Sequence, residues 1–134
     1  AGRADKEPGI YGPALALRAW NFAYLTDTFG DVPYTSALAG DSSAAVFNPT
    51  YDAQRDIYAS LFTSLDQVTN DLAAAPATAR LLGSADPIYG GNLLRWQKFA
   101  NSLRARQALR LANVAPDTAR AQIQAALAAP GGLI

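Results

Sequence analysis

The chain has 134 residues, 11 Lys plus Arg against 11 Asp plus Glu, no His, Cys or Met, and half of its residues are apolar. Disulfides, Cys/His zinc sites, imidazole general bases, Cys-His dyads and Ser-His-Asp triads are excluded, which leaves carboxylates, Lys, Tyr or Ser for any hydrolytic chemistry. A balanced charge gives no global field for nucleic acid or an anionic membrane, and no apolar run approaches the ~20 residues of a membrane span.

Such a length suits one domain, and the whole of 1–134 reads as a single all-helical segment. It begins on Ala1 and ends on Leu133-Ile134 after Gly131-Gly132, so it is expected to be a piece of something longer. There are 29 Ala residues, and the apolar positions recur at helical spacing in four segments with almost no β-branched alternation. The fold class is therefore all-α, with antiparallel helix pairs.

The first helix is predicted over 13–29, with Pro13 at its first turn and Gly30 as its stop. Its segment from Ala14 to Leu25 is apolar nearly all round, which predicts a central position. A long ordered loop follows, opening with Gly30-Asp31-Val32-Pro33-Tyr34 and closing with Phe47-Asn48-Pro49-Thr50, with aromatics anchoring both ends. The second helix, predicted over 52–74 and capped by Thr50 or Asp52, carries the stripe Ile57, Leu61, Leu65, Val68 and Leu72.

A second loop runs from Pro76 to Asn92 through Asp86-Pro87-Ile88-Tyr89-Gly90-Gly91. The third helix is predicted over 93–113, with Asn92 as N-cap and Leu93, Trp96, Phe99, Ala100, Leu103 and Ala108 on its buried side. The fourth is predicted over 117–129 with Ala119, Ile123, Ala126 and Leu127 inward, terminated by Pro130-Gly131-Gly132. A tight Ala115-Pro116 turn pairs the third helix with the fourth, and the longer excursion pairs the first with the second. No strict repeat period links the two pairs, so the repeat rests on architecture alone.

Charge is uneven along the chain. Residues 1–90 hold ten acids against five bases, among them Arg3, Asp5, Lys6 and Asp41, whereas Leu93 to Asn113 holds Arg95, Lys98, Arg104, Arg106 and Arg110 and no acid. A nucleic-acid surface lacks the interleaved aromatic or Gly-rich platform it would need. Pairing of Arg104, Arg106 and Arg110 with carboxylates such as Asp27, Asp31, Asp66 or Asp71 on neighbouring helices accounts for the pattern.

Two carboxylate pairs, Asp27 with Asp31 and Asp52 with Asp56, are close enough in sequence to be weighed as a glycosidase arrangement. Simpler roles suit both: the first pair flanks a helix C-terminus and turn, and the second sits in a first helical turn where negative charge is favourable. Trp20, Tyr24, Tyr34, Tyr51, Tyr58, Tyr89 and Trp96 could stack sugars. Trp20 and Trp96 lie in apolar stripes and are predicted to be core, while Tyr34 and Tyr89, in loops, remain open to either role. They are the candidate ligand-binding residues. Gly90-Gly91 ahead of a helix is a weak anion cradle that turn geometry explains better. No residue is assigned to catalysis or to a metal, and no cofactor is expected.

The runs Leu25-Thr26-Asp27-Thr28-Phe29-Gly30-Asp31-Val32-Pro33-Tyr34, Tyr51-Asp52-Ala53-Gln54-Arg55-Asp56-Ile57-Tyr58 leading to Leu65-Asp66, Asp86 to Gly91, and Trp96-Gln97-Lys98-Phe99-Ala100-Asn101-Ser102-Leu103-Arg104-Ala105-Arg106 occur in that order. They resemble the SusD/RagB-like family, in its branch of starch-binding proteins associated with the outer membrane, from about Ala14 to Leu127. The resemblance implies tetratricopeptide-like antiparallel helix pairs, in a surface-exposed lipoprotein of Bacteroidota that captures a glycan or other nutrient without breaking a bond. It also implies a partner, a SusC-like TonB-dependent outer-membrane transporter, and no nucleic acid. Membrane association is then expected only through a lipid anchor outside this segment, because the chain has no Cys and only a fraction of the family's length. The shared motifs read physically as scaffold, and none transfers a sugar-contacting residue. The alternative reading is a helical-repeat interaction module binding a peptide or protein partner, which an exposed apolar groove would favour.

Overall fold

In the computed structural model, residues 7–37 and 48–134 are described. Phe47, Arg3, Asp5, Lys6 and Asp41, named above, lie outside them. The elements are α1 (Pro8–Phe29), α2 (Gln54–Ala73), a short 3-10 turn (Gly83–Ala85), α3 (Leu93–Arg110) and α4 (Pro116–Ala128). Among the described residues the only β-type pairing is an isolated bridge between Val32 and Asp52.

Side-chain contacts set the directions. Tyr58 on α2 meets Gln107 on α3, Asp66 meets Arg104, and Thr69 meets Asn101, so rising numbers on one helix meet falling numbers on the other. The same antiparallel order holds for α1 with α2, where Asp27 meets Tyr58 and Gly12 meets Leu72, and for α3 with the segment from Gln122 to Leu133. In contrast α1 and α3 run parallel, with Trp20 beside Phe99 and Asp27 beside Arg110. Two antiparallel pairs stacked side by side make this an all-α fold of tetratricopeptide-like character.

The α2 stripe of Ile57, Leu61, Leu65, Val68 and Leu72 is wholly buried and packs with Leu15, Ala16, Ala19, Phe22 and Ala23 of α1 and Trp96, Ala100 and Leu103 of α3. A smaller cluster of Tyr58, Phe62 and Ala108, with Leu111 and Ile123 against it, continues the core toward α4. The hub is α3, which packs against each of the other three helices. Helix α1 is apolar all round without being central: Trp20, Tyr24, Leu25 and Phe29 face outward.

Four local expectations need correction. First, α1 starts at Pro8, not Pro13; Pro8 takes the proline-favoured first turn, and Pro13 lies inside the helix at the loss of one backbone hydrogen bond. Gly9 and Gly12 make the extension possible, because a Cβ at Gly9 would run into the Arg80 carbonyl and one at Gly12 would lie 2.8 Å from Leu72 Cδ2. Second, α2 starts at Gln54 with Ala53 as a cap residue that offers no side-chain bond. Asp52 is turned away toward Tyr34 and Thr35, and Asp31 supplies the missing cap from another segment by accepting the Gln54 N–H at 2.8 Å. Third, Trp20 is 44% exposed and packs only edge-on against Phe99, 6.0 Å between centroids. Fourth, Leu127 of α4 is exposed while Ala119 and Ala126 carry the buried side.

Other features follow local chemistry directly. The N–H of Gly30, at φ 75°, bonds to the Thr26 carbonyl at 2.8 Å, and the Thr26 hydroxyl donates back to the Gly30 carbonyl at 2.6 Å, closing α1. Asn92 caps α3 as predicted, accepting the Arg95 N–H at 3.0 Å, but α3 gives way to tight turns after Arg110 and falls short of the predicted end at Asn113.

Candidate functional site

The two aromatic candidates are held by two carboxylate-centred loops. In the first, Asp52 accepts the backbone N–H groups of Tyr34 and Thr35 and the Thr35 hydroxyl, each at 2.8 Å. Those bonds, led by the Thr35 N–H, hold the Asp52 carboxyl below its ordinary pKa. The loop so fixed turns Tyr34 inward: its buried ring meets Phe22 edge to face at 4.8 Å, and the Arg18 guanidinium lies 4.8 Å from the Tyr34 centroid and 5.3 Å from that of Phe22. Its aromatic face is thus already occupied by a cation.

In the second loop, buried Asp86 accepts four hydrogen bonds: from the Ile88, Tyr89 and Gly91 N–H groups at 2.9, 3.1 and 2.9 Å, and from the Trp96 indole N–H at 2.6 Å. Burial opposes the charge, but the Trp96 bond and the three backbone donors outweigh it and hold the carboxyl down to about 2. Gly90 and Gly91, at φ 61° and 78°, let the chain curl around this anion, so the glycine pair serves an internal carboxylate. Tyr89 is half-buried, its ring 5.1 Å from Trp96 and 6.3 Å from Phe99. The site therefore brings Tyr89 together with Trp96, Phe99 and, beyond Phe99, the partly exposed Trp20. Tyr34 packs separately, beside Phe22 and Arg18.

The carboxylates weighed for hydrolysis have structural partners. Asp27 accepts the Tyr58 hydroxyl at 2.6 Å and pairs with Arg110 at 2.7 Å, while Asp31 caps α2. Burial first, and then the hydrogen bond to Asp27, push the Tyr58 phenol above its ordinary pKa. Asp56 pairs with exposed Arg55 at 3.1 Å. Of the α3 cations, Arg104 reaches Asp66 at 2.7 Å and Gln122 at 2.8 Å, and Arg110 reaches Asp27, as the charge pattern implied, whereas Arg106 is exposed and pairs with no carboxylate among the described residues. Among the described residues no group of three or more Asp or Glu stands close enough to hold a metal ion.

Sequence reasoning missed two features. One is the part of Tyr58, whose hydroxyl joins the Asp27–Arg110 pair and so ties three helices together beside Gln107. The other is the polar belt at Asn101, whose amide donates to the Pro130 and Gly132 carbonyls at 2.9 Å each while its oxygen accepts the Thr69 hydroxyl at 2.7 Å. The signal available for the belt was a Gln97-Asn101 pair one helical turn apart on the apolar side of α3. The joint exposes a cleft of about 630 Å³ between α2 and the α3–α4 turn, lined by Tyr58, Phe62, Leu111 and Val114 with Arg55 and Arg110.

Residues 3–134 match the family described as starch-binding, associating with the outer membrane, the SusD-like group. The chain belongs to the SusD-like family. Solved SusD homologues show the same helical arrangement. One from Bacteroides uniformis superposes with a TM-score of 0.80 at 35% identity, over 92% of this chain and 24% of that one. A chitin-binding SusD homologue from Flavobacterium johnsoniae gives 0.79 at 30% identity, over 94% of this chain and 26% of its own length. A homologue from Parabacteroides distasonis gives 0.81 at 30%, over 98% and 25%. The chain thus spans about a quarter of the SusD-like structures it matches. No curated protein matches it. Among the described residues, no helix is long and apolar enough to cross a membrane.

Proposed function

We propose that this chain is the helical-repeat scaffold of a larger SusD-like lipoprotein that binds a glycan without catalysis at the cell surface, anchored in the outer membrane outside this segment. The observation that carries the reading is the SusD-like match over residues 3–134, together with 30% identity to a chitin-binding homologue. The engagement of Asp27 by a helix joint, of Asp31 by a cap, of Asp52 by loop N–H groups and of Asp56 by neighbouring Arg55 supports a framework over a reaction centre. A SusC-like TonB-dependent transporter is the partner this reading requires, since a surface binder serves uptake only by handing its ligand on.

Within this reading Tyr34 stabilises the first loop, and Tyr89, half-buried where Tyr34 is buried, is the one of these two left partly open to a sugar. Calorimetry of the full-length parent with chitin and starch oligosaccharides tests the reading, combined with chromatography for products and co-purification with a transporter encoded beside it. Micromolar to millimolar binding without turnover is expected, and Tyr89→Ala in the parent reports on that residue's share. Oligosaccharide cleavage that disappears in Asp27→Asn would refute the non-catalytic assignment. A protein with no glycan affinity and a tight peptide ligand would move it to the interaction-module reading.

A further inference from the structure

The fold leaves a groove along one side that none of the roles above uses. The cleft at Tyr58 continues into a second one of about 300 Å³; Ala59, Phe62 and Thr118 line both. Helices α2 and α4 form the walls, each antiparallel to α3, which lies beneath with Ala108 in the cluster of Tyr58 and Phe62. Val114 stands on the rim, 78% exposed.

The two ion pairs along this groove face opposite ways. At the Tyr58 end Arg110 is 48% exposed and its partner Asp27 15%, so the cation looks outward; beside it Arg55, 88% exposed, is paired with Asp56, 63% exposed. At the other end Arg104 is 10% exposed and Asp66 52%, so the anion looks outward. From Arg55 to Asp66 along α2 is about 16 Å, three helical turns. An occupant must therefore be apolar on one face, negative at one end and positive at the other. A helix has that polarity in its backbone, with a positive N-terminus and a negative C-terminus.

The geometry points to a docking site for a three-turn amphipathic helix of a protein partner, lying between α2 and α4. Its acidic C-terminal end sits at Arg55 and Arg110, and its basic N-terminal end sits at Asp66. It runs parallel to α3 and adds a third layer to the stack. The site is independent of the glycan reading.

The test uses the full-length parent and two synthetic peptides of about three turns. Both carry one leucine face; one has lysines in its first turn and glutamates in its last, and the other has these exchanged. By fluorescence anisotropy the first peptide should bind about tenfold more tightly than the second, and the preference should fade at high salt. Val114→Asp and Arg55→Glu, both at exposed positions, should each weaken it about fivefold with unchanged melting temperature. Equal affinity for the two peptides, or indifference to both substitutions, overturns the proposal. So does a loss of chitin-oligosaccharide affinity or of self-association in Val114→Asp with peptide binding intact, because the groove's occupant is then a glycan or a second copy.

Discussion

Tyr58→Phe isolates one hydrogen bond in a joint that holds three helices. The hydroxyl donates to Asp27 at 2.6 Å and lies 3.3 Å from the Gln107 oxygen, while the ring stays packed against Phe62. Phenylalanine keeps the ring and leaves Asp27 its ion pair with Arg110. The loss is thus one hydrogen bond to a charged acceptor, worth about 1.5–3 kcal/mol, with no cavity added. For a chain of this size that lowers Tm by roughly 5–12 °C.

A second readout comes from pH. The Tyr58 phenol is raised in the folded state, by burial first and then by its bond to Asp27. The neutral phenol is thus the form the fold favours. Its contribution is complete below the unfolded value of about 10 and is lost as pH rises through the higher folded value. Urea titrations of wild type and Tyr58→Phe, followed by circular dichroism at pH 8 and again above pH 10, should show a gap that narrows at the higher pH. A difference below about 0.5 kcal/mol at pH 8, or a gap that does not change with pH, would refute the joint as an energetic unit.

Trp96→Ala removes a ring that is 1% exposed and should destabilise by about 3–5 kcal/mol in urea titrations, whereas Trp20→Ala, half out in solvent, should cost no more than about 1 kcal/mol. Asp86, held down to about 2, favours the folded state above its unfolded pKa of about 3.9, and this contribution is lost as pH falls through the folded value. Acid titration by circular dichroism should therefore show stability declining between about pH 4 and pH 2, with a flatter slope in Asp86→Asn. Gly12→Ala would put a Cβ 2.8 Å from Leu72 Cδ2 and should cost about 1–3 kcal/mol, and combining it with Leu72→Ala should cost less than the two separate losses added, as measured by a double-mutant cycle.

What could be read from the residues was local. The stripe from Ile57 to Leu72 named its own buried face, Asn92 its capping role and Gly30 the end of a helix, because each signal lies within a turn or two of its effect. The pairing of Arg104 and Arg110 with acids of other helices was also legible, since a run of bases without acids must find its counter-charges elsewhere. Trp20 shows the limit: periodicity tells which face of a helix is apolar, not whether a neighbour stands against it. Asp52 and Asp31 show another, because each looked like a helix cap or turn residue of its own segment, and tertiary approach across the first loop gave their oxygens to distant N–H groups. For the candidate site, residue type could suggest that Tyr34 and Tyr89 stack something. Only the fold shows that the faces they offer are largely taken by Arg18, Phe22, Trp96 and Phe99.

The polar links between helices sit at different heights: Asp27 with Tyr58 and Arg110 near one end, Arg104 with Asp66 midway, and Thr69 with Asn101 and the Pro130 carbonyl toward the other. To slide any helix by one turn, all of its links would have to break together. The stack is therefore keyed in register at several heights, and the relative position of one helix to the next does not hang on any single link.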